Sequence, residues 1–152
     1  MSWWAQTIGA PLEDSCGSAV DAETTLAGKA VVLYFSAEWC PPCKVMTPML
    51  ARLYREVTAE KRLPLVVVFV SSDTDRDEMR KYHAEQQPDF LAISFNADKA
   101  EALAKKFGLD NVPAIAVLRP DGSVLTTNGK RELIDLEGKA LEKWASAALA
   151  SS

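Results

Sequence analysis

Two uninterrupted apolar runs constrain this chain more than any other feature. Ala30–Phe35 reads AVVLYF and Leu65–Val70 reads LVVVFV. Both are rich in β-branched and aromatic residues and show no polar alternation. A strand of this kind is buried on both faces, as in a parallel sheet covered by helices. Between the runs, Val45, Met46, Met49, Leu50, Leu53, Tyr54 and Val57 recur at helical spacing. Pro48 falls inside that pattern, clashes with the Lys44 carbonyl and predicts a kink.

Further along, Ser71-Ser72-Asp73 reads as a helix entry, followed by Asp75, Asp77 and Glu78 in or near a first turn. That helix is expected to run to about Gln87, before Pro88. Lys99–Phe107 is a third helix, with Leu103, Ala104 and Phe107 inward and Gly108 ending it. Ala114–Leu118 reads as a strand, and Arg119–Ser123 as a turn that sends Val124–Thr127 back antiparallel. Residues 137–150 form the last helix, with Leu141, Trp144, Ala145, Ala148 and Leu149 on one side. The order β-α-β-α-(α)-β-β-α predicts a mixed α/β fold, a central sheet with helices on both faces. Residues 1–28 are an N-terminal extension, read as short irregular strands or a hairpin packed on one domain spanning 1–152.

With 152 residues, the chain is long enough for one well-buried core. Four acidic and no basic residues stand before Lys29, and the remainder is neutral. It has no basic stripe for nucleic acid. No run approaches the roughly 18 apolar residues of a membrane helix. The absence of a basic segment before Lys29 argues against a secretory signal and favours the cytoplasm. Three cysteines make no disulfide framework.

Two of them carry the chemistry. Trp39-Cys40-Pro41-Pro42-Cys43 stands where a buried strand meets a helix. Cys40 falls at the helix cap, where unpaired N–H groups and the positive dipole end favour a thiolate. Pro41 suits the first helical position. Two intervening residues bring both sulfurs to one side of the first turn, the arrangement of a dithiol exchanger. The competing reading is half a zinc site, which would need two more ligands from Cys16 and His83 alone. His83, between Lys81, Tyr82, Ala84 and Glu85, reads as ordinary helix surface. Asp73–Glu78 lacks the spacing of a calcium loop and reads as a solvated helix start. Trp3, Trp4 and Trp144 read as packing residues, and Cys16 as a free, unreactive thiol.

Val31–Lys44 (VVLYFSAEWCPPCK) resembles the active-site segment of the thioredoxin superfamily. The Pro-Pro pair and Tyr34-Phe35-Ser36 bring it nearest to tryparedoxins and nucleoredoxins. Val68–Asp73, Phe90–Phe95, Leu103–Phe107 before Val112-Pro113, and Thr126-Thr127 extend the likeness over roughly 26–138. The resemblance implies a thioredoxin-like fold and a redox disulfide, with Cys40 attacking and Cys43 resolving. Trp39 would flank the sulfur pair as a partly exposed recognition residue, beside Pro41 and Pro42. Pro113 takes the place of the family's cis-proline, turning Val112 toward an extended substrate.

Three departures accompany it. Tyr34 stands where thioredoxins carry a buried Asp, as it does in tryparedoxins. This leaves water or a nearby acid such as Glu38 as base for Cys43. Ser72-Asp73-Thr74 replaces the Trp-Asp-Glu of tryparedoxins, closer to nucleoredoxin, and Pro88-Asp89-Phe90 replaces their Pro-Trp.

The expected activity is protein-disulfide reduction without metal or organic cofactor. Clients would include peroxiredoxin-type peroxidases, and electrons would come from a dithiol such as trypanothione. The alternatives are a nucleoredoxin-like protein served by a flavoprotein reductase and a redox-sensitive binding module.

Overall fold

A computed structural model describes residues 3–150. Two short helices and a hairpin open the chain: α1 (Trp3–Thr7), β1 (Leu12–Glu13), β2 (Ala19–Val20) and α2 (Ala22–Leu26). β3 (Ala30–Ser36), α3 (Pro41–Lys61), β4 (Leu65–Ser71), α4 (Arg76–Gln86), β5 (Leu91–Ile93) and α5 (Ala97–Lys106) follow. β6 (Ala114–Leu118), β7 (Val124–Thr126), α6 (Gly129–Leu136) and α7 (Gly138–Ala150) complete it.

The seven strands form one mixed sheet in the order β2-β1-β5-β4-β3-β6-β7. β3 and β4 pair in parallel along their length, and β4 pairs in parallel with β5. β6 runs antiparallel to β3, and β7 antiparallel to β6. The β1–β2 hairpin extends the opposite edge, antiparallel to β5. Every residue of β3 and β4 is buried, as the apolar runs require.

Because successive strand residues face opposite sides, β3 splits its side chains between two cores. Ala30, Val32 and Tyr34 meet Leu50 and Leu53 of α3, Leu133 of α6 and Trp144 of α7. Val31, Leu33 and Phe35 meet Trp4, Leu26, and Leu103 with its neighbour Phe107 at the end of α5. Phe69 of β4 lies in register with Tyr34 and packs on Met79 and Tyr82 of α4. Helices therefore cover both faces.

The N-terminal segment contains the expected hairpin, but also α1 and α2, whose five residues each are too short to show a period. Trp4 is buried and its indole N–H donates to the Ala10 carbonyl at 2.7 Å. Trp3 packs edge-on to Trp4 and lies against Gly122. A Cβ there would come within 2.6 Å of the Trp3 ring, and the Gly122 φ of +89° already favours glycine.

Several expectations are corrected. The helix after β4 starts later than Ser71–Asp73. Asp75 is its cap, accepting the Glu78 N–H at 2.8 Å, while Ser71 ends the strand and Asp73 is buried in the connecting loop. Ser71 Oγ and the Asp73 carboxylate satisfy one another, which lets this loop turn inward instead of being solvated.

His83 is buried, not surface. Met79, Tyr82 and His83 form the inward stripe of α4, and the charged neighbours lie on its outer side. The ring bonds the Phe90 carbonyl through Nε2 at 2.7 Å. α5 begins at Ala97, two residues early, because Asn96 accepts the Lys99 N–H. β5 and α6 were absent from the expected order; one is three residues long and the other opens on the turn-like Asn128-Gly129. Val45 and Leu149 point to solvent, at 75% and 50% exposure, because each lies beyond the edge of its helix's buried stripe. α3 continues as helix through Pro48, which sits on its exposed side.

Candidate active site

The end of β3 and the first turn of α3 place the two cysteines. Cys40 is the N-cap, in extended conformation at φ −90° and ψ 114°. Pro41 and Pro42 have no N–H, so Cys43 supplies the first amide donor of the helix. That N–H donates to Cys40 Sγ at 3.3 Å. The Lys44 N–H closes the first helical bond on the Cys40 carbonyl at 3.2 Å. Both thiols are free. The Cys40 thiol also donates to the Val112 carbonyl at 3.6 Å. The Val112–Pro113 peptide is cis, as the resemblance implied.

A cleft of about 740 Å³ opens beside this turn, with Trp39, Cys40, Asp73, Glu101, Lys105 and Val112 among its lining. Pro41 and Pro42 also face it. Cys43 does not line it and is fully buried behind Cys40. Pro113 is buried beneath Val112. The structure thus gathers all seven sequence-predicted residues at one end of the sheet, five of them on the cleft wall.

Burial, together with the neighbouring Cys40 thiol, pushes the Cys43 thiol up to about 11. Hydrogen bonds from the Ser36 side chain and the Ala37 backbone oppose that shift. Glu38, the acid named as a possible base, turns toward Lys44 at 3.5 Å and is half-exposed.

Trp39 is 54% exposed, and its indole N–H donates to the Ser72 carbonyl at 3.0 Å. Next to it, the Glu38 N–H donates to the Asp73 carboxylate at 2.8 Å. These two bonds tie the loop before Cys40 to the loop after β4. Asp73 also accepts from Ser71 Oγ at 2.7 Å, and burial holds its carboxyl above the ordinary range.

Sequence reasoning missed Asp73 as a cleft residue, since its acidic surroundings suggested solvent. It also missed Ser36, Thr47 and Tyr82, which adjoin one another behind Cys43. One signal was available. Thr47 lies one helical turn after Cys43 and Ser36 two residues after Tyr34, so both share an inward face. Among the described residues, no three His, Cys, Asp or Glu side chains gather in a way that could hold a metal. No described helix is long and apolar enough to cross a membrane.

A family model described as thioredoxin-like matches residues 28–124. The chain belongs to the thioredoxin-like family. Probable nucleoredoxin 1 of Arabidopsis thaliana is 36% identical over 113 residues, covering 74% of this chain and 19% of that protein. The tryparedoxin of Trypanosoma brucei superposes with a TM-score of 0.81 at 29% identity, covering 95% of this chain and 99% of that one. A tryparedoxin II solved in complex with glutathionylspermidine superposes at 0.73 with 27% identity, covering 84% and 86%. The chain spans about a fifth to a third of the length of the plant and animal nucleoredoxins it matches. With its seven-stranded mixed sheet and short N-terminal extension, it has the thioredoxin-like fold and a Cys40–Cys43 pair at the spacing of redox-active members.

Proposed function

We propose that this thioredoxin-like chain reduces disulfides in proteins by dithiol exchange, in the manner of tryparedoxins. One observation carries the reading: Cys40 faces the cleft at a helix N-terminus while Cys43 is enclosed behind it. At this terminus the N–H of Cys43 and the positive end of the helix dipole both meet the Cys40 sulfur.

The Cys40 thiolate attacks a client disulfide R–S–S–R′. A Cys40–S–S–R bond forms and R′S⁻ departs, taking a proton from solvent. Cys43 then attacks Cys40 Sγ, the bond to R breaks, and RSH leaves with the proton that Cys43 gave up. The client is reduced by two electrons, and the Cys40–Cys43 pair is oxidised. An external dithiol, or a reductase, restores it.

The remaining predicted residues have roles in binding. Trp39, Pro41 and Pro42 give an apolar rim on which a client backbone can lie, and Trp39 is held in place by Ser72. Val112 lines the cleft as well, with Pro113 buried next to it. Peroxiredoxin-type peroxidases are the expected clients. A tryparedoxin relative binds glutathionylspermidine, which makes a low-molecular-weight thiol such as trypanothione a candidate donor. The nucleoredoxin likeness favours a second wiring, in which a flavoprotein reductase supplies electrons.

An insulin-reduction assay, repeated with a coupled peroxidase, tests the reading. Trypanothione, glutathione and a flavoprotein reductase with NADPH serve as separate donors. Turnover with at least one donor, abolished by Cys40→Ser, is expected. Absence of turnover with every donor points instead to a redox-sensitive binding module.

A further inference from the structure

Behind Cys43 lies a cluster that the exchange scheme leaves unused. Tyr34 and Ser36 come from β3, Thr47 from α3 and Tyr82 from α4, and all four are buried. Tyr34 Oη lies 2.6 Å from Thr47 Oγ1, Thr47 Oγ1 lies 2.5 Å from Tyr82 Oη, and Tyr82 Oη lies 2.7 Å from Ser36 Oγ. Ser36 precedes Ala37, which packs against Cys43, and Thr47 follows Cys43 by one turn of α3, so this chain of hydroxyls ends beside the Cys43 thiol, whose titration the Ser36 hydroxyl lowers against burial. At each of the three measured contacts either oxygen can donate.

A chain of hydroxyls has two senses. In one, Ser36 accepts from the Cys43 thiol and donates to Tyr82, Tyr82 donates to Thr47, and Thr47 to Tyr34. In the other, Tyr34 donates to Thr47, Thr47 to Tyr82, Tyr82 to Ser36, and Ser36 to a Cys43 thiolate. Passing between them needs rotation about C–O bonds and the departure of the Cys43 proton, which leaves with the released thiol. Chains of this kind polarise one another in a low-dielectric interior. Burial raises both phenols above their ordinary range, so neither is a base at neutral pH. The carboxylates beside the motif are engaged elsewhere, Glu38 with Lys44 and Asp73 with Ser71 and the Glu38 N–H.

We propose that Ser36, Tyr82, Thr47 and Tyr34 form a reversible hydroxyl relay that turns a donor onto the Cys43 sulfur as it attacks the mixed disulfide. The relay rests on the exchange reading above. Ser36 is the member placed to donate to the reacting sulfur. Tyr82, Thr47 and Tyr34 are positioning residues that act through it. No proton stays on the relay: the Cys43 proton leaves with the departing thiol, and the electron pair of Cys43 forms the Cys40–Cys43 bond. Reorienting hydroxyl dipoles thereby serve where a buried carboxylate would otherwise be needed.

Single-turnover kinetics with a chromogenic aromatic disulfide separate the two steps. The first thiol release reports attack by Cys40, and the second reports resolution by Cys43. Tyr82→Phe and Ser36→Ala should slow resolution by about tenfold or more and move its pH profile upward, with attack by Cys40 within about twofold of native. Ser36→Thr, which restores a hydroxyl, should recover most of the rate. Resolution within about twofold of native in a folded Ser36→Ala or Tyr82→Phe protein overturns the relay. So does an equal loss in both steps, which marks a packing role. Thr47→Val provides the same comparison should either variant fail to fold. Failure of the native protein to form any mixed disulfide at Cys40 is a different result, and it rejects the exchange reading itself.

Discussion

The backbone N–H of Cys43 donates to the sulfur of Cys40 at 3.3 Å, so the enclosed cysteine aims its amide at the sulfur that faces the cleft. The arrangement follows from Pro41 and Pro42, which remove the two earlier amide donors. One residue of the pair faces the cleft, and the other is enclosed with its thiol held up at about 11. Their difference in environment gives the first expectation. In the reduced protein at neutral pH, iodoacetamide should label Cys40 and the exposed Cys16 before Cys43. Cys43 labelling should rise about tenfold per pH unit through pH 9, because only its thiolate reacts. Peptide mass spectrometry over a time course checks both.

Trp39 should matter for binding more than for chemistry. Trp39→Ala removes an exposed aromatic surface together with the bond to the Ser72 carbonyl. Its expected cost is about 1–2 kcal/mol of client affinity, seen as a higher KM for a protein disulfide. The rate with a small aromatic disulfide should change far less.

Asp73 links the two loops beside the cleft. Asp73→Ala leaves the Glu38 N–H and the Ser71 hydroxyl without their acceptor and should cost about 1–3 kcal/mol in urea unfolding. Asp73→Asn, which keeps one acceptor and adds a donor, should cost less. Because burial raises the Asp73 carboxyl above its ordinary 3.8, the folded state holds that proton more firmly than the unfolded one. Its contribution is favourable at low pH and is lost as pH rises through the folded titration. The Asn variant should lack that slope, measured as the native-minus-variant difference from pH 3 upward.

His83 predicts a slope of the opposite sign. Burial depresses its titration below the ordinary 6.5, while the Phe90 carbonyl opposes the shift. The unfolded chain therefore binds a proton that the folded chain resists. Stability should fall as pH drops below about 6.5, down to the folded titration. His83→Gln should flatten this part of the curve, which chemical unfolding between pH 7 and 5 will show.

His83 and Asp73 also mark where the sequence stops being legible. The strands β3 and β4 announced themselves because seven consecutive buried residues leave no polar alternation. The Cys40 turn was legible because cap, proline and cysteine spacing are all local. Burial of His83 depends on the Phe90 carbonyl seven residues away, and burial of Asp73 on the Glu38 amide 35 residues away. Neither partner can be inferred from neighbouring charge. β5 has only Leu91–Ile93 to show, and α6 starts at a glycine packed against Ile115, which reads as a turn in isolation. The hydroxyls behind Cys43 converge from three elements, so their association is a property of the sheet and not of any segment.

The central claim is the division of labour between Cys40 and Cys43, and trapping tests it most directly. The Cys43→Ser, Cys40→Ser and Cys16→Ser proteins are each mixed with a disulfide-bonded peroxidase client and run on a non-reducing gel. Cys43→Ser should accumulate a covalent complex through Cys40, Cys40→Ser should form none, and Cys16→Ser should turn over at nearly the native rate. A covalent complex that forms through Cys43 in the Cys40→Ser protein, or turnover that depends on Cys16, would contradict the assignment.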